Sequence, residues 1–398
     1  MLILKYRENH PDYRNLVKAA QNCWVDHIPL YEHGIGEKVI EEITGNRPYD
    51  LWFSSDMSES REGFRQFWDF WKTMGYDTAS MEFGVCGALV GGGALAAHQE
   101  GCIKDREDFE KYPWDEIPER YFQRYAPYIR NFAETCPAGM KAVGGVGNGV
   151  FEAVQDIVGY MDLCYIKADD EELYRDIFRK MGEVEYKIWD RFMAEFSDVF
   201  CVLRFGDDLG FKQQTLISPE DIRENVIPVY QKIIARVHQE QKPFLLHSCG
   251  CIFDVMEDLI QTAKIDAKHS NEDQIAHFSQ WVDRYGDRIG NFGGIDTDVL
   301  CRYSPEYIRE YILDCLGKVK GRGGIAFSSG NSIPDYVPVE GYLAMIETVR
   351  EWGGDSAGLV YRFCGGNQNQ KNRPSFCEGL FSLSKQLPFG TGRCDMKN

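Results

Sequence analysis

Eight times along this chain a short apolar run ends in polar or glycine residues and gives way to a longer stretch with helical spacing. The runs are "DHIPLYEHGIG", "TASMEFGVCG", "KAVGGVGNG", "VFCVLRFGDDLG", "KPFLLHSCG", "AKIDAKHSNED", "RIGNFGGIDTD" and "GGIAFSSGNSIP". Strands that alternate with helices pair in parallel, because each helix carries the chain back to the edge where it began. Eight such units predict a (β/α)₈ TIM barrel, whose strand ends converge on one rim. The competing architecture is an open doubly wound sheet. It is disfavoured because "GALVGGGALAAHQEG" and "VGGVGNG" lack the strand-and-helix context of a G-x-G-x-x-G dinucleotide fingerprint.

The intervening segments carry helix-start chemistry. Ser218 and Ser304 stand before Pro219 and Pro305, serine at the N-cap followed by proline at the first helical position. Two stretches fall outside the repeat. An N-terminal helical extension at about 50–76 carries Phe64, Phe67, Trp68, Phe70 and Trp71, and core packing is the expectation for these rings. An insertion after the second strand, about 99–132, reads as a cap or lid near that strand's exit. The barrel is expected to span 1–353. Residues 354–398 are polar, turn-rich and without sustained period, and are expected to form an irregular tail lacking order.

Composition narrows the function classes. The 398 residues include 62 acidic against 44 basic side chains, a formal charge of -18. Nucleic acid and anionic membranes select basic faces, so neither is an expected partner. No apolar run approaches the ~18 residues that cross a bilayer. Thirteen cysteines without an export signal imply reduced thiols, hence a cytoplasmic location.

The chemistry-bearing residues sit at the predicted strand ends. His247 and Cys249 are two apart in an extended segment, so both side chains share a face and could reach one ion. Asp207, Asp208 and Glu82 are candidate proton donors, since carboxylates crowded in a partly dry pocket raise one another's pKa. Adjacent Asp207 and Asp208 alternate faces, so one of them points inward and the other caps a turn or bonds to backbone. His33 is a further catalytic candidate. Tyr31, Glu32, Asn148, His269 and Asn331 are candidates for binding substrate.

The combination "GDDLG", "LISPEDIRENVIPVYQKII", "HSCG" and "GGID" resembles the uroporphyrinogen decarboxylase superfamily from about Phe200 to Trp352, with looser likeness at "IPLYEH" and "MGYD". Within it the chain looks most like the corrinoid-dependent methyltransferases, in particular the aryl methyl ether O-demethylases. That resemblance implies a barrel that moves a methyl group from a small methoxylated substrate to cobalt on a separate corrinoid protein, with zinc as a candidate metal and a homodimer as a candidate assembly. Two departures matter. The arginine-rich R-Q-A-G-R segment that grips tetrapyrrole carboxylates in the true decarboxylases is replaced by Tyr31, Glu32 and His33, and a carboxylate presented there would repel a polyanion. The later cysteine that completes the zinc site of the thiol-methylating relatives falls in "SSGNS", where Asn331 stands. A zinc-dependent methylcobamide:thiol methyltransferase and a decarboxylase-like barrel remain the alternative readings.

Overall fold

The computed structural model describes residues 10–96 and 100–353. The predicted 354–398 tail lies outside the described residues. Seven of the eight apolar runs form strands: β1 Thr78–Gly84, β2 Lys141–Gly147, β3 Phe200–Gly206, β4 Phe244–His247, β5 Ala267–His269, β6 Gly290–Ile295 and β7 Ile325–Ser329. They pair in parallel in strict chain order.

The first run is the exception. It joins β7 through isolated parallel bridges, Leu30 with Phe327 and Ile35 with Ile333, not through a continuous ladder. Tyr31 N donates to Phe327 O at 2.9 Å and Phe327 N to Pro29 O at 2.9 Å. Pro29 has no N–H to extend the pattern backward, and further on Gly34 O accepts from Ile333 N at 2.9 Å while Gly36 N donates to Ile333 O at 2.6 Å to make the second bridge. On the segment's other side the Ser80 hydroxyl of β1 donates to the Glu32 carbonyl. The segment is therefore the eighth stave, lying between the last strand and the first, and the architecture is an α/β TIM barrel.

Side chains alternate in and out along each stave. Val143, Val202, Leu245, Ala267, Phe292 and Ala326 form one buried cluster with Leu16, Ala19 and Ala20 of the helix Arg14–Ala20. That short helix plugs the barrel at the N-terminal end of the strands. Its approach is close enough that a Cβ on Gly290 would lie 2.5 Å from Ala19 O. With that end filled by the plug, the end where the strands finish is the one left for chemistry among the described residues.

The outer layer follows its sequence signals. Ser218 Oγ accepts from Asp221 N at 3.1 Å and Ser304 Oγ from Tyr307 N at 3.4 Å, both capping a first turn that opens with proline. The aromatic helix Met57–Thr73 buries Phe64, Phe67, Trp68, Phe70 and Trp71 almost completely, each worth roughly 1.5–3 kcal/mol of transfer free energy. The region expected as a lid divides in two. Its end, Ile117–Glu134, is a long helix that packs against Met57–Thr73 and Glu171–Phe196 with Ile117, Tyr121, Phe122, Ile129 and Phe132 buried, so it is the helix connecting β1 to β2. Only the stretch before it stands apart from the repeat. Among the described residues no helix is long and apolar enough to cross a membrane.

Candidate active site

Strand parity decides which side chains face the open end. On β3 and its extension, Val202, Arg204, Gly206 and Asp208 share the inner face, while Leu203, Phe205 and Asp207 face the helices. Gly206 pairs with His247 across the β3–β4 ladder, so Asp208 runs beside Cys249. His269 follows on β5 opposite His247. His33, on the first stave, completes the ring.

Three imidazoles stack in this layer. His33 lies on His247 with ring centroids 3.8 Å apart and planes 19° from parallel. His247 Nδ1 and His269 Nδ1 are 2.7 Å apart, and His269 Nε2 is 3.3 Å from the Ser329 carbonyl oxygen. Burial, reinforced by the Arg204 cation and the neighbouring imidazoles, holds His33 and His247 well below the usual histidine range, and burial pushes His269 down to about 3. All three are neutral at pH 7. A carbonyl only accepts, so the partners assign the His269 proton to Nε2 and leave its Nδ1 as acceptor. His247 must then carry its proton on Nδ1, which leaves Nε2 with a free lone pair. That nitrogen lies 3.5 Å from Cys249 Sγ and 3.9 Å from Asp208 Oδ1.

Cys249 and Asp208 are tied to one another as well. Cys249 N donates to Asp208 Oδ1 at 2.9 Å, and Asn331 Nδ2 donates to Cys249 Sγ at 3.2 Å. Burial pushes the thiol up to about 12, so without a nearby cation it keeps its proton. The donor set suits a borderline cation. Two ligands placed tetrahedrally at about 2.3 Å and about 2.0 Å from zinc are about 3.5 Å apart, the spacing found between Sγ and Nε2. The buried Nδ1 of His33 has no hydrogen-bond partner, a further sign of a site with unmet polar capacity.

Beneath the imidazoles lies a residue that sequence reading passed over. Arg204 is almost wholly buried, with Nε donating to Glu82 Oε1 at 2.6 Å and one terminal nitrogen to Tyr31 Oη at 2.5 Å. Its signal was a lone charge within the apolar run "VFCVLRFG". Glu82 faces inward, and burial raises its pKa against the pull of Arg204. It is committed to that cation. Glu152 also escaped notice: its Oε1 accepts from Asp208 N at 3.3 Å and its Oε2 from Asn148 Nδ2 at 2.9 Å, while burial pushes its carboxyl up to about 9. Lys268 is a third omission, a buried outward-facing lysine with its ammonium 3.7 Å from the Trp281 ring centroid.

Several expected residues are enclosed and take other tasks. Asp207 Oδ2 accepts from Phe151 N at 3.0 Å and Tyr230 Oη at 2.6 Å, and Oδ1 accepts from Glu152 N at 2.8 Å. It caps the helix Val150–Val158 and is turned away from the imidazoles. A Cβ on Gly149 would stand 2.4 Å from the Asp207 carboxylate, so the glycine makes room for the cap. Tyr31 packs within the barrel core and braces Arg204. Glu32 is fully buried against Ser329, accepting from its N at 2.8 Å and lying 2.6 Å from its Oγ. Burial pushes Glu32 up to about 8, so it is neutral and enclosed, and cannot repel a polyanionic substrate. Asn148 sits at a positive φ of 62° and links Glu152 to Cys86 N. Asn331 is exposed beside the cysteine. The cleft thus gathers His33, His247, His269, Cys249, Asp208 and Asn331, with Glu82 and Glu152 at its wall.

Comparison with known proteins agrees with this architecture. Residues 97–352 match the family model described as uroporphyrinogen decarboxylase (URO-D). Among solved structures, a methyltransferase from Methanosarcina mazei aligns with a TM-score of 0.65 at 16% identity, covering 85% of this chain and 98% of that one. A Listeria monocytogenes protein described as a candidate vitamin-B12-independent methionine synthase aligns with a TM-score of 0.47 at 15% identity, covering 83% and 99%. No curated protein sequence matches significantly.

Proposed function

The chain belongs to the uroporphyrinogen decarboxylase family, and from that premise we propose that it is a methyltransferase, moving a methyl group from a methoxylated, aryl methyl ether-type substrate to the cobalt of a separate corrinoid protein. One observation carries the reading: His247, Cys249 and Asp208 converge at the open end of the barrel with a metal-compatible Sγ–Nε2 spacing of 3.5 Å. The charge balance of the cleft argues against tetrapyrrole decarboxylation. Its imidazoles are neutral, and the Arg204 cation is answered by Glu82. No unpaired cation among these residues is left to grip several carboxylates, whereas a neutral ether meets no electrostatic penalty.

The chain's own residues would divide the work as follows. A Cβ on Gly206 would stand 3.5 Å from the His247 ring, so the glycine leaves that side of the imidazole free of a side chain from β3. The stacked His33 and His247 rings give an aromatic ether a flat face to lie against. The plugged lower end leaves the mouth of the barrel as the side from which substrate and partner approach. Heterolysis of the ether leaves an electron pair on oxygen, and stabilising that charge is the chemical task. Reduced corrinoid on the partner would supply the nucleophile that takes the methyl. A divalent cation on His247 and Cys249 would polarise the ether oxygen. Glu152, protonated at neutral pH and adjoining Asp208, is the chain's acid for the departing oxygen.

The test is to combine purified protein, reduced cobalamin and a panel of methoxyarenes, and to follow the absorbance change of cobalt methylation. Turnover with at least one arene supports the reading. A flat trace across the panel, with protein shown folded by circular dichroism, removes it.

A further inference from the structure

We propose that Asp208 completes a divalent-cation site with His247 and Cys249, a one-nitrogen, one-sulfur, one-oxygen set in which Asn331 serves the sulfur instead of the metal. The inference deepens the methyl-transfer reading and concerns the same cleft. It stands on geometry at the β3–β4 ladder. Because Gly206 pairs with His247, the chains run side by side past the strand ends, and Asp208 arrives next to Cys249 on the inner face. The three donor atoms lie within 4.8 Å of one another.

Each donor is prepared in a different way. The His247 lone pair on Nε2 is set by the hydrogen-bond chain through His269 to the Ser329 carbonyl. The Asp208 carboxylate is anchored at Oδ1 by the Cys249 amide. Its Oδ1–Nε2 distance of 3.9 Å exceeds by about half an ångström the separation of two nitrogen or oxygen ligands on one zinc. Asp208 is half-exposed, so a small rotation closes that gap. Cys249 Sγ receives the Asn331 amide proton at 3.2 Å, an arrangement that favours thiolate. An amide nitrogen in that position has no lone pair to give a metal, so Asn331 fits an outer role. The other cluster of nitrogens, His33, His247 and His269, does not compete: His247 Nδ1 and His269 Nδ1 at 2.7 Å are joined by a proton, and are closer than two ligands on one ion.

A set with a single sulfur holds zinc or cobalt(II) as a Lewis acid and leaves a fourth position for a substrate oxygen or water. That differs from a thiolate-rich site, where electron donation from several sulfurs lowers the acidity of the ion.

The test uses the full chain stripped with a chelator and titrated with cobalt(II), followed by chelator competition with zinc. One equivalent of cobalt should bind, giving visible bands of a four-coordinate ion and a sulfur charge-transfer band. Asp208→Ala should weaken zinc binding on the order of 10–100-fold, with Asp208→Asn as the second variant that keeps the Cys249 contact should the alanine protein fail to fold. Cys249→Ser should abolish the charge-transfer band, and Asn331→Ala should shift it to lower energy at unchanged stoichiometry. Absence of stoichiometric metal, or binding by both folded Asp208 variants equal to the parent, overturns the site. Neither cobalamin nor a methyl donor is present, so the outcomes separate. Protein that methylates cobalamin but binds no metal sinks this site alone, and protein that binds metal but never methylates sinks the functional reading alone.

Discussion

His247 and His269 face one another through like atoms, Nδ1 to Nδ1 at 2.7 Å, so exactly one of the two nitrogens carries the shared proton. The Ser329 carbonyl beyond His269 decides that the proton belongs to His247. Replacing His269 by alanine should release this constraint. Nitrogen-detected NMR of His247 should then report a mixture of tautomers where the parent reports Nδ1–H alone, and zinc affinity should fall roughly 10–100-fold. His269→Asn, whose amide oxygen stands in for Nδ1, should recover most of both. A single unchanged tautomer in the alanine variant would contradict the assignment.

Asp207 and Asp208 are neighbours with opposite duties. Asp207→Asn removes a carboxylate that accepts from two helix amides and the Tyr230 hydroxyl. It should cost about 1–2 kcal/mol of stability, read from urea unfolding, while leaving turnover within a few-fold. Asp208→Asn should leave the urea midpoint in place and reduce methyl transfer about 100-fold or more. The reverse pattern would mean the inward face has been misassigned.

How far these duties could be read from the sequence depends on parity. Alternation makes it certain that Asp207 and Asp208 face opposite ways, but which one faces in follows from the pairing of Gly206 with His247, and register is not written in one strand alone. Seven strands were legible as apolar runs. The eighth was legible as a run but not as mere bridging, because the effect of Pro29 depends on its partner on β7. Tyr31 and Glu32 looked like pocket residues by position, yet one points into a sealed core and the other toward Ser329. Arg204 was visible as an anomaly in "VLRFG", but only a fold reveals that Glu82, 122 residues away, answers it. The helix Ile117–Glu134 was hidden by Pro127, which in sequence reads as a helix stop although it lies off the continuous buried face of Ile117, Tyr121, Phe122, Tyr125, Ile129 and Phe132.

The Arg204–Glu82 pair is buried on the arginine side and nearly so on the glutamate side. Breaking such a pair strands a charge, which costs about 3–5 kcal/mol, whereas replacing both partners by apolar residues of similar volume is close to neutral. Glu82→Leu alone should lower the urea midpoint sharply, and the double variant Glu82→Leu with Arg204→Met should regain most of the loss. If the double variant is as unstable as the single one, packing and not charge governs this layer.

Glu32 gives the stability curve a slope of known sign. Its folded pKa of about 8 lies above its usual carboxyl value of 4.5, so the folded state holds the proton that the unfolded chain releases. The stabilisation is full below the unfolded pKa and is lost as pH rises toward 8, at about 1.4 kcal/mol per pH unit while only the unfolded chain is ionised. Glu32→Gln keeps an acceptor for Ser329 N and does not titrate. Urea unfolding at pH 6, 7 and 8 should show the parent losing stability relative to the variant at each step. Parallel curves would show that Glu32 ionises in the fold.

Glu185 is the clearest liability in the outer layer. It lies on the helix Glu171–Phe196, is fully buried, and neither carboxyl oxygen has a hydrogen-bond partner. Burial, with Asp207 and Glu152 nearby, drives its pKa well above the carboxylate range, so it sits in the fold as a neutral acid with its polar atoms unpaid by any bond. Leaving such a group dry costs about 1–3 kcal/mol, while methionine fills nearly the same volume with no polar atom and no charge to expel. Glu185→Met should therefore raise the urea midpoint by about that amount. The gain should grow as pH rises from 6 to 8, because the raised pKa means the parent's stability falls with pH as the unfolded chain gives up the proton the fold retains. A variant less stable than the parent at both pH values would mean that Glu185 has a polar partner in solution, and that the acid cluster behind Asp207 is wetter than its packing implies.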